Sequence, residues 1–417
     1  MPFASALGCV RCGARYPVDH FARDCAACRR TGAPANLTVL YDQTPGLGLE
    51  RAHVPKTPGS LWRWQAFLPA SAKEAVTLGE GNTPLLPVPA LELGDVWLKD
   101  ETRNPTLSFK DRLASVAVTM ATRAHARVIV SSSSGNAGAA AAAYAAKAGI
   151  PCVVFVFKGA PAALVTQIRA YGAMVIMVEN KADRWRLQSA AVERLGWYPT
   201  SPFFGPAVGS NPFGVEGYKT IAFEIAEAFG WRPPDWCVLP VCYGDALYGM
   251  WKGFAELKVL GFIDRVPRLV AAEVSGSLGA ALAGGEAMPP DRPGNVTTLA
   301  ISIGATQGTV QALEALRRTL GTAATVDNDA LDVWLVKLAK TEGIWAEPAA
   351  VAPFAAIEQL RSKGTIAPDA RAVALVTASG LKDQAAIDAS LRTPPLVTGG
   401  LDNVLRALEE TYGFVHE

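Results

Sequence analysis

A lysine placed where an extended segment gives way to an apolar-periodic run can do amine chemistry. In Asn104-Pro105-Thr106-Leu107-Ser108-Phe109-Lys110-Asp111-Arg112 the lysine precedes residues 113–120, whose periodicity predicts a helix, so Lys110 falls at a helix N-terminus. There the helix dipole disfavours an ammonium. Burial under Phe109 and Leu113 would push the same way, toward the neutral amine a Schiff base needs. Taken alone, a solvated lysine beside Asp111 and Arg112 is the simpler account. A second constellation is Cys9-x2-Cys12 followed by Cys25-x2-Cys28. Each knuckle puts two thiolates within reach of one ion, and four sulfur ligands leave no open position, so the pattern predicts a structural zinc site. Reduced cysteines on a small arm are the alternative. His20 and Asp19, between the knuckles, read as solvated loop, and Cys152 and Cys237 as core residues in apolar strands.

Three strand-to-helix junctions could hold a ligand. Ser131-Ser132-Ser133-Ser134-Gly135-Asn136-Ala137-Gly138 is built of small residues ahead of a helix, whose free N–H groups suit a carboxylate or phosphate. The segment Val241-Cys242-Tyr243-Gly244-Asp245-Ala246-Leu247 occupies an equivalent position with one glycine. Thr377-Ala378-Ser379-Gly380 ends the last strand, where a hydroxyl can meet a ring nitrogen. Each of these alone is equally well an ordinary capped turn.

These residues need elements to carry them. Strand-like runs at 96–99, 128–131, 152–157 and 174–178 alternate with helical patterns, and the alternation resumes at 236–241, 269–274 and 372–377. Val- and Ile-rich strands between helices imply mainly parallel sheets covered on both faces. The fold class expected is α/β: two open α/β domains plus a small cysteine-rich, zinc-ribbon-like N-terminal arm. The divisions expected are 1–42 for the arm, 43–95 for a linker and the start of the catalytic body, 96–215 for a smaller domain carrying Lys110, and 216–417 for a larger one. Pro58, Gly59 and the stretch ending at Gly294 read as breakers of regular structure, and Leu61-Trp62-Arg63-Trp64 as an aromatic anchor.

Composition narrows the partners. The chain has 417 residues, half of them hydrophobic, with 39 Lys and Arg against 38 Asp and Glu. Such a balance offers nothing to nucleic acid or an anionic membrane, and points to a small-molecule substrate or a second copy of the chain. Residues 1–9 lack a signal-peptide pattern, and the apolar run at 128–146 is broken by serines, glycines and Asn136. Seven cysteines, an odd number, do not form a disulfide scaffold, so a cytoplasmic location is expected.

Together with Gly81-Asn82-Thr83-Pro84-Leu85, Asn211-Pro212-Phe213-Gly214-Val215-Glu216-Gly217-Tyr218-Lys219-Thr220 and Thr377-x2-Gly380-Leu381-Lys382-Asp383, these motifs follow the order found in the threonine synthase branch of pyridoxal-phosphate enzymes, with the tryptophan synthase β-type fold. The chain resembles that family over nearly its whole length, paired cysteines included. The resemblance implies pyridoxal 5'-phosphate as cofactor, Zn2+ as a structural ion, an amino-acid substrate and a homodimer. It implies that Lys110 bonds the cofactor and shuttles the α-proton, that Phe109 flanks it, and that Asn136 meets the cofactor's 3'-hydroxyl. Thr377 would face the pyridine nitrogen. Cys242, Tyr243, Gly244, Asp245, Ala246 and Leu247 would hold the cofactor phosphate, with the Asp245 carboxylate repelling it unless turned away. Ser133, Ser134, Gly135 and Asn136 would take the substrate carboxylate, and Lys99 would also face the substrate.

A hydroxyl at the pyridine nitrogen suits elimination and replacement better than transamination. Where family members that use O-phosphohomoserine place a hydroxyl, an arginine and an asparagine on its phosphate, this chain has Ala137, Gly214 and Ala246. A dianion there would go uncompensated by several kcal/mol. The function expected is therefore a lyase acting at the β or γ carbon of an amino acid. Threonine synthase proper and a threonine- or serine-type dehydratase are the alternatives, and a non-catalytic binding module is the alternative of a different class.

Overall fold

The computed structural model describes residues 4–57, 59–205, 208–293, 298–388 and 390–415; Pro58 and Gly294 lie outside the described residues. The arm carries β1 (Ala4–Cys9), β2 (Arg15–Tyr16) and β3 (Leu37–Tyr41), paired antiparallel in the order β2-β1-β3. Ten strands follow: β4 (Leu85–Pro87), β5 (Val96–Asp100), β6 (Ile129–Ser131), β7 (Cys152–Phe157), β8 (Met174–Val178), β9 (Tyr198–Pro199), β10 (Trp236–Pro240), β11 (Arg268–Glu273), β12 (Thr322–Thr325) and β13 (Ala372–Val376). They form one sheet in the order β8-β7-β6-β9 and another in the order β12-β11-β10-β13-β5-β4, parallel throughout except where β4 runs against β5. The α/β class with mainly parallel sheets and a cysteine-rich arm is as expected. Central strands such as β10 and β13 are buried at every position, as their unbroken apolar runs require.

One crossing matters for function. The strand β5 pairs with β13 in the six-stranded sheet, Val96 opposite Ala372, yet the chain then runs into the helix Lys110–Arg123, which packs on the helix Asn136–Ala148 beside the four-stranded sheet. The Lys110 segment therefore bridges the two sheets. The turn Pro212–Val215 and the residues after it lie close on the Lys110 helix. A Cβ on Gly217 would come within 2.0 Å of the Arg112 carbonyl oxygen, so only glycine permits that approach.

Behind Lys110 lies a buried charge network. Arg112, 0% exposed, donates to Glu101 Oε2 and Oε1 at 2.7 and 2.8 Å and to Glu224 Oε1 and Oε2 at 2.7 and 2.8 Å. Lys99 Nζ reaches Glu224 Oε2 at 2.7 Å and the Thr83 carbonyl at 2.6 Å. The network ties the turn before β4, the end of β5, the Lys110 helix and the helix Lys219–Ala228 to one point. Burial alone would raise both carboxyls, but Arg112 and Lys99 hold them below the usual glutamate range. Such depressed groups contribute stability that is present above their unfolded-state pKa and lost as pH falls through the folded value. The variant Glu224→Gln leaves Arg112 and Lys99 to share one carboxylate, and is expected to cost about 3–5 kcal/mol in chemical denaturation at neutral pH. Wild type should lose stability below the ordinary glutamate value of 4.5. A denaturation series against pH should show a shallower acid loss for the variant.

Candidate active site

A cleft of about 440 Å³ opens where the carboxyl ends of the two parallel sheets face each other. It brings together Phe109, Lys110, Ser133, Ser134, Gly135 and Asn136 with Cys242, Tyr243, Gly244, Asp245, Ala246, Leu247 and Thr377. Lys99 does not line it. The expectation that this lysine faces the substrate is corrected by the network above: it is buried, and Glu224 and the Thr83 carbonyl take its ammonium.

Lys110 is the first residue of its helix and is half-buried, with Nζ 4.6 Å from the centroid of the Phe109 ring, which itself stacks on Tyr218 at 5.3 Å. Its position is set by backbone pairing. Leu107 takes a left-handed conformation, φ 63°, that turns the chain along the end of β13; Phe109 N–H then donates to the Thr377 carbonyl at 2.9 Å and Ser379 N–H to the Leu107 carbonyl at 3.1 Å. On the other side of the same segment, Glu347 N–H donates to the Ala378 carbonyl at 3.1 Å and Gly380 N–H to the Trp345 carbonyl at 3.0 Å. A Cβ on Gly380 would meet the Trp345 indole at 2.2 Å, so a glycine is required there. Three short segments thus hold Lys110, Thr377 and Glu347 around one irregular strand end. Asp111 is turned aside, accepting from Thr106 N–H at 2.7 Å and its hydroxyl at 2.6 Å.

Glu347 lines the cleft and Lys382 is buried near it; the sequence shows no role for the first and places the second only in the late motif. Glu347 is the N-cap of the helix Pro348–Ser362, and its Oε2 accepts from Asn136 Nδ2 at 2.9 Å. Burial raises its pKa, with Asn136 and Lys382 opposing. Burial likewise pushes Lys382 down to about 8, against the pull of Glu347 and Asp111. The only signal in the sequence was a glutamate directly before a helix-starting proline. Asn136 keeps its Oδ1 buried and without a partner among the described residues, free to accept from a ligand hydroxyl.

Two helix starts face the cleft. Residues 133–136 lead into the helix Asn136–Ala148, and a Cβ on Gly138 would fall 2.0 Å from the Ser133 carbonyl oxygen. Across the cleft, Gly244 caps the fifteen-residue helix Asp245–Val259 at φ 74°, pressed against Ala312. The Asp245 carboxylate is turned from the loop: it accepts from Ser210 N–H and Oγ at 2.9 and 2.7 Å and from Gln311 Nε2 at 2.6 Å. These donors offset part of the repulsion expected of it, and the N–H groups of the helix start beside it suit an anion. Asn36 of the arm donates to Gln311 Oε1 at 3.1 Å and to the Ser210 carbonyl at 3.3 Å, so the arm braces this loop from behind.

The four cysteines Cys9, Cys12, Cys25 and Cys28 converge, with all sulfurs within 4.8 Å of one another and Cys9–Cys28 and Cys12–Cys25 each 3.6 Å apart. A tetrahedral zinc–thiolate centre with bonds of about 2.3 Å has edges of about 3.8 Å, so the donor set fits.

Residues 76–378 match the family model described as pyridoxal-phosphate dependent enzyme. The chain belongs to this family. This pyridoxal-phosphate enzyme is similar to the threonine synthase of Methanosarcina acetivorans, 32% identical over 96% of this chain and 98% of that one. It is 34% identical to the Synechocystis threonine synthase over 86% of this chain and 92% of the relative. In fold it is similar to maize serine racemase (TM-score 0.63, 20% identity, 74% of this chain and 91% of the other) and to the diaminopropionate ammonia lyase of Escherichia coli (TM-score 0.63, 16% identity, 75% and 89%). The residues present fit the cofactor: a half-buried lysine, an orphaned amide oxygen and a helix start share one cleft. Among the described residues no helix is long and apolar enough to cross a membrane.

The variant Gly138→Ala must displace the Ser133 carbonyl. A shift on the order of an ångström in a positioning loop is expected to lower turnover about 100-fold, with the melting temperature changed far less than by Glu224→Gln. Steady-state rates beside thermal melts check this.

Proposed function

We propose that the chain is a pyridoxal-phosphate-dependent lyase related to threonine synthase, eliminating or replacing a substituent at the β or γ carbon of an amino acid. The observation that carries this reading is that Lys110, Asn136, Thr377 and the start of the helix Asp245–Val259 share one cleft. When bound, the cofactor withdraws electrons from the α-carbon of its amino-acid substrate. Lys110 would hold the cofactor and move the α-proton. Phe109 would pack beside it, Asn136 Oδ1 would accept from the cofactor's hydroxyl, and the Thr377 hydroxyl would serve the ring nitrogen without giving it a full proton. The backbone of 242–247 would take the phosphate. The N–H groups of 133–136 take the substrate carboxylate at the start of their helix.

Threonine synthase proper is the second reading, favoured by the identity over nearly the full length of the relatives. Against it, Ala137 and Ala246 face the cleft without polar atoms. Gly214, where the resemblance places an arginine, packs on the Lys110 helix, so that a Cβ there would lie 2.8 Å from Leu113 Cγ. We assign the four cysteines to a structural zinc ion and the active unit to a cytoplasmic homodimer. Around the cleft we assign one body to the four-stranded sheet and one to the six-stranded sheet, with residues 96–100 counted in the latter.

The purified protein is expected to show the visible absorbance of a lysine-bound cofactor, lost in Lys110→Ala at unchanged melting temperature. A protein that stays colourless with added cofactor defeats the enzyme reading in favour of a binding module. Phosphate release from O-phosphohomoserine, followed beside release of ammonia from serine and threonine, separates the enzyme readings. Metal analysis should find one zinc per chain. Stripping it should lower the melting temperature and loosen cofactor retention, because Asn36 on the arm braces the Asp245 loop.

A further inference from the structure

The cleft has a wall that neither the motifs nor the assigned roles use. Lys181 and Arg184 stand at the start of the helix Asp183–Leu195 and line the same cavity as Lys110. Arg184 Nη1 donates to Ser134 Oγ at 3.2 Å and Nε to the Lys181 carbonyl at 3.1 Å. Its guanidinium lies over the Phe157 ring at 5.2 Å, and Lys181 Nζ lies 5.9 Å from the same ring. Neither cation makes an ion pair among the described residues. Burial lowers the pKa of Arg184, as it does for a cation drawn from water without a carboxylate partner. Of the carboxylates lining the cavity, Asp245 is engaged by Ser210 and Gln311 and Glu347 by Asn136, and Asp291 and Asp383 make no ion pair with either cation.

Arg184, drawn partly from water with no carboxylate partner, favours an anion, and the exposed Lys181 beside it adds to the same field. The substrate's α-carboxylate is met by the start of the helix Asn136–Ala148, and the cofactor phosphate by the start of the helix Asp245–Val259. Both of those anions are already provided for, so a further negative group remains to be supplied. The wall adjoins that cofactor loop: Trp185 and Tyr243 are in ring contact, 6.0 Å apart between centroids. Burial pushes the Cys242 thiol up to about 11, with Lys110 and then Lys181 among the charges pulling it down, so both lysines look onto the same loop.

We propose that Lys181 and Arg184 form an oxyanion subsite for the far end of the substrate, which makes the substrate an α-amino acid whose side chain ends in a carboxylate, sulfonate or phosphate. This rests on the lyase reading above and names its substrate class. It also supplies, from another wall, a positive charge in place of the arginine missing at Gly214 and donors in place of the neutral ones missing at Ala137 and Ala246. Arg184 sets the position through its planar fork, held by Ser134 and the Lys181 carbonyl, and Lys181 adds a mobile point charge at the mouth.

The test is calorimetric titration of the cofactor-loaded protein with O-phospho-L-homoserine, O-phospho-L-serine and L-cysteate, each beside neutral L-homoserine or L-serine. At least one anionic probe is expected to bind about tenfold or more tighter than its neutral counterpart, a difference of about 1.4 kcal/mol. The preference should weaken as salt is raised. In the double variant Lys181→Gln/Arg184→Gln the preference should collapse, while affinity for the neutral probe and for pyridoxal phosphate stays within about twofold. Lys181→Glu, at an exposed position that does not threaten folding, should reduce anionic affinity further than Lys181→Gln. Equal affinity for charged and neutral probes in the wild type overturns the subsite. So does a preference that survives both substitutions, or a loss of cofactor affinity in their place. If the protein never acquires the cofactor's absorbance, the lyase reading fails by itself, and the same titrations on the protein as purified still decide the subsite.

Discussion

The position of Lys110 depends on a salt-bridged arginine two residues further along its helix. Arg112 is wholly buried between Glu101 and Glu224, with Lys99 closing the network. Two cations and two carboxylates balance, and the fork of the guanidinium is satisfied on both sides. A buried network of this kind is a weak source of net stability, because desolvation offsets much of the Coulomb gain. What it supplies is geometry. Any rotation of the helix that moved Lys110 would break several charge-assisted hydrogen bonds at once, in surroundings where an orphaned charge is costly. The adjoining backbone pairing of Leu107, Phe109, Thr377 and Ser379 fixes the other end of the same segment. The amine is thus held between a buried salt bridge and a strand end.

The electrostatics of the cleft follow from where acids are allowed to point. Asp111 turns to Thr106, Asp245 to Ser210 and Gln311, and Glu347 to Asn136. All three line or adjoin the cleft, and each is withdrawn into a local hydrogen-bond set. The surfaces facing the ligand include two helix starts, a neutral threonine and the cations Lys181 and Arg184, with the carboxylates Asp291 and Asp383 also on the lining. Anions are favoured at the helix starts and at the basic wall, and on the reading proposed above the ring nitrogen's neighbour, Thr377, is uncharged. That combination suits a cofactor used for elimination and replacement more than one that needs a strongly protonated ring.

The fold was largely legible because its strands are short apolar runs and its helices periodic. The runs at 96–99, 152–157, 174–178 and 372–377 all fall on strands of the two parallel sheets. Short edge strands such as β4, β9 and β12 carry too little pattern to be seen. Among the site residues, those on junction loops could be read only together, since each loop alone passes for a capped turn and it is their order along the chain that carries the resemblance. Lys99 could not be placed: a lysine at the end of a strand looks the same in sequence whether it faces a substrate or, as here, a buried glutamate 125 positions away. Glu347 and Lys382 were equally opaque, because what distinguishes them is burial without full compensation, and burial is a property of the assembled fold.

The helix Asp183–Leu195 escaped notice for a related reason, and this bears on how the protein separates chemistry from selectivity. Only Gln188 and Ala191 of that helix are buried, so little apolar periodicity announces it. The cofactor half of the cleft is built from backbone amides, close-packed glycines and the Arg112 network, where almost any substitution meets a neighbour. The wall carrying Lys181 and Arg184 belongs to a helix that buries only Gln188 and Ala191 fully and packs Leu187 and Val192 on the edge of the core. Substitutions there alter the charge facing the substrate at little cost to folding. A rigid floor that holds the reacting group, opposed by a wall free to vary, lets one framework keep its chemistry while the group it recognises at the far end of the substrate changes.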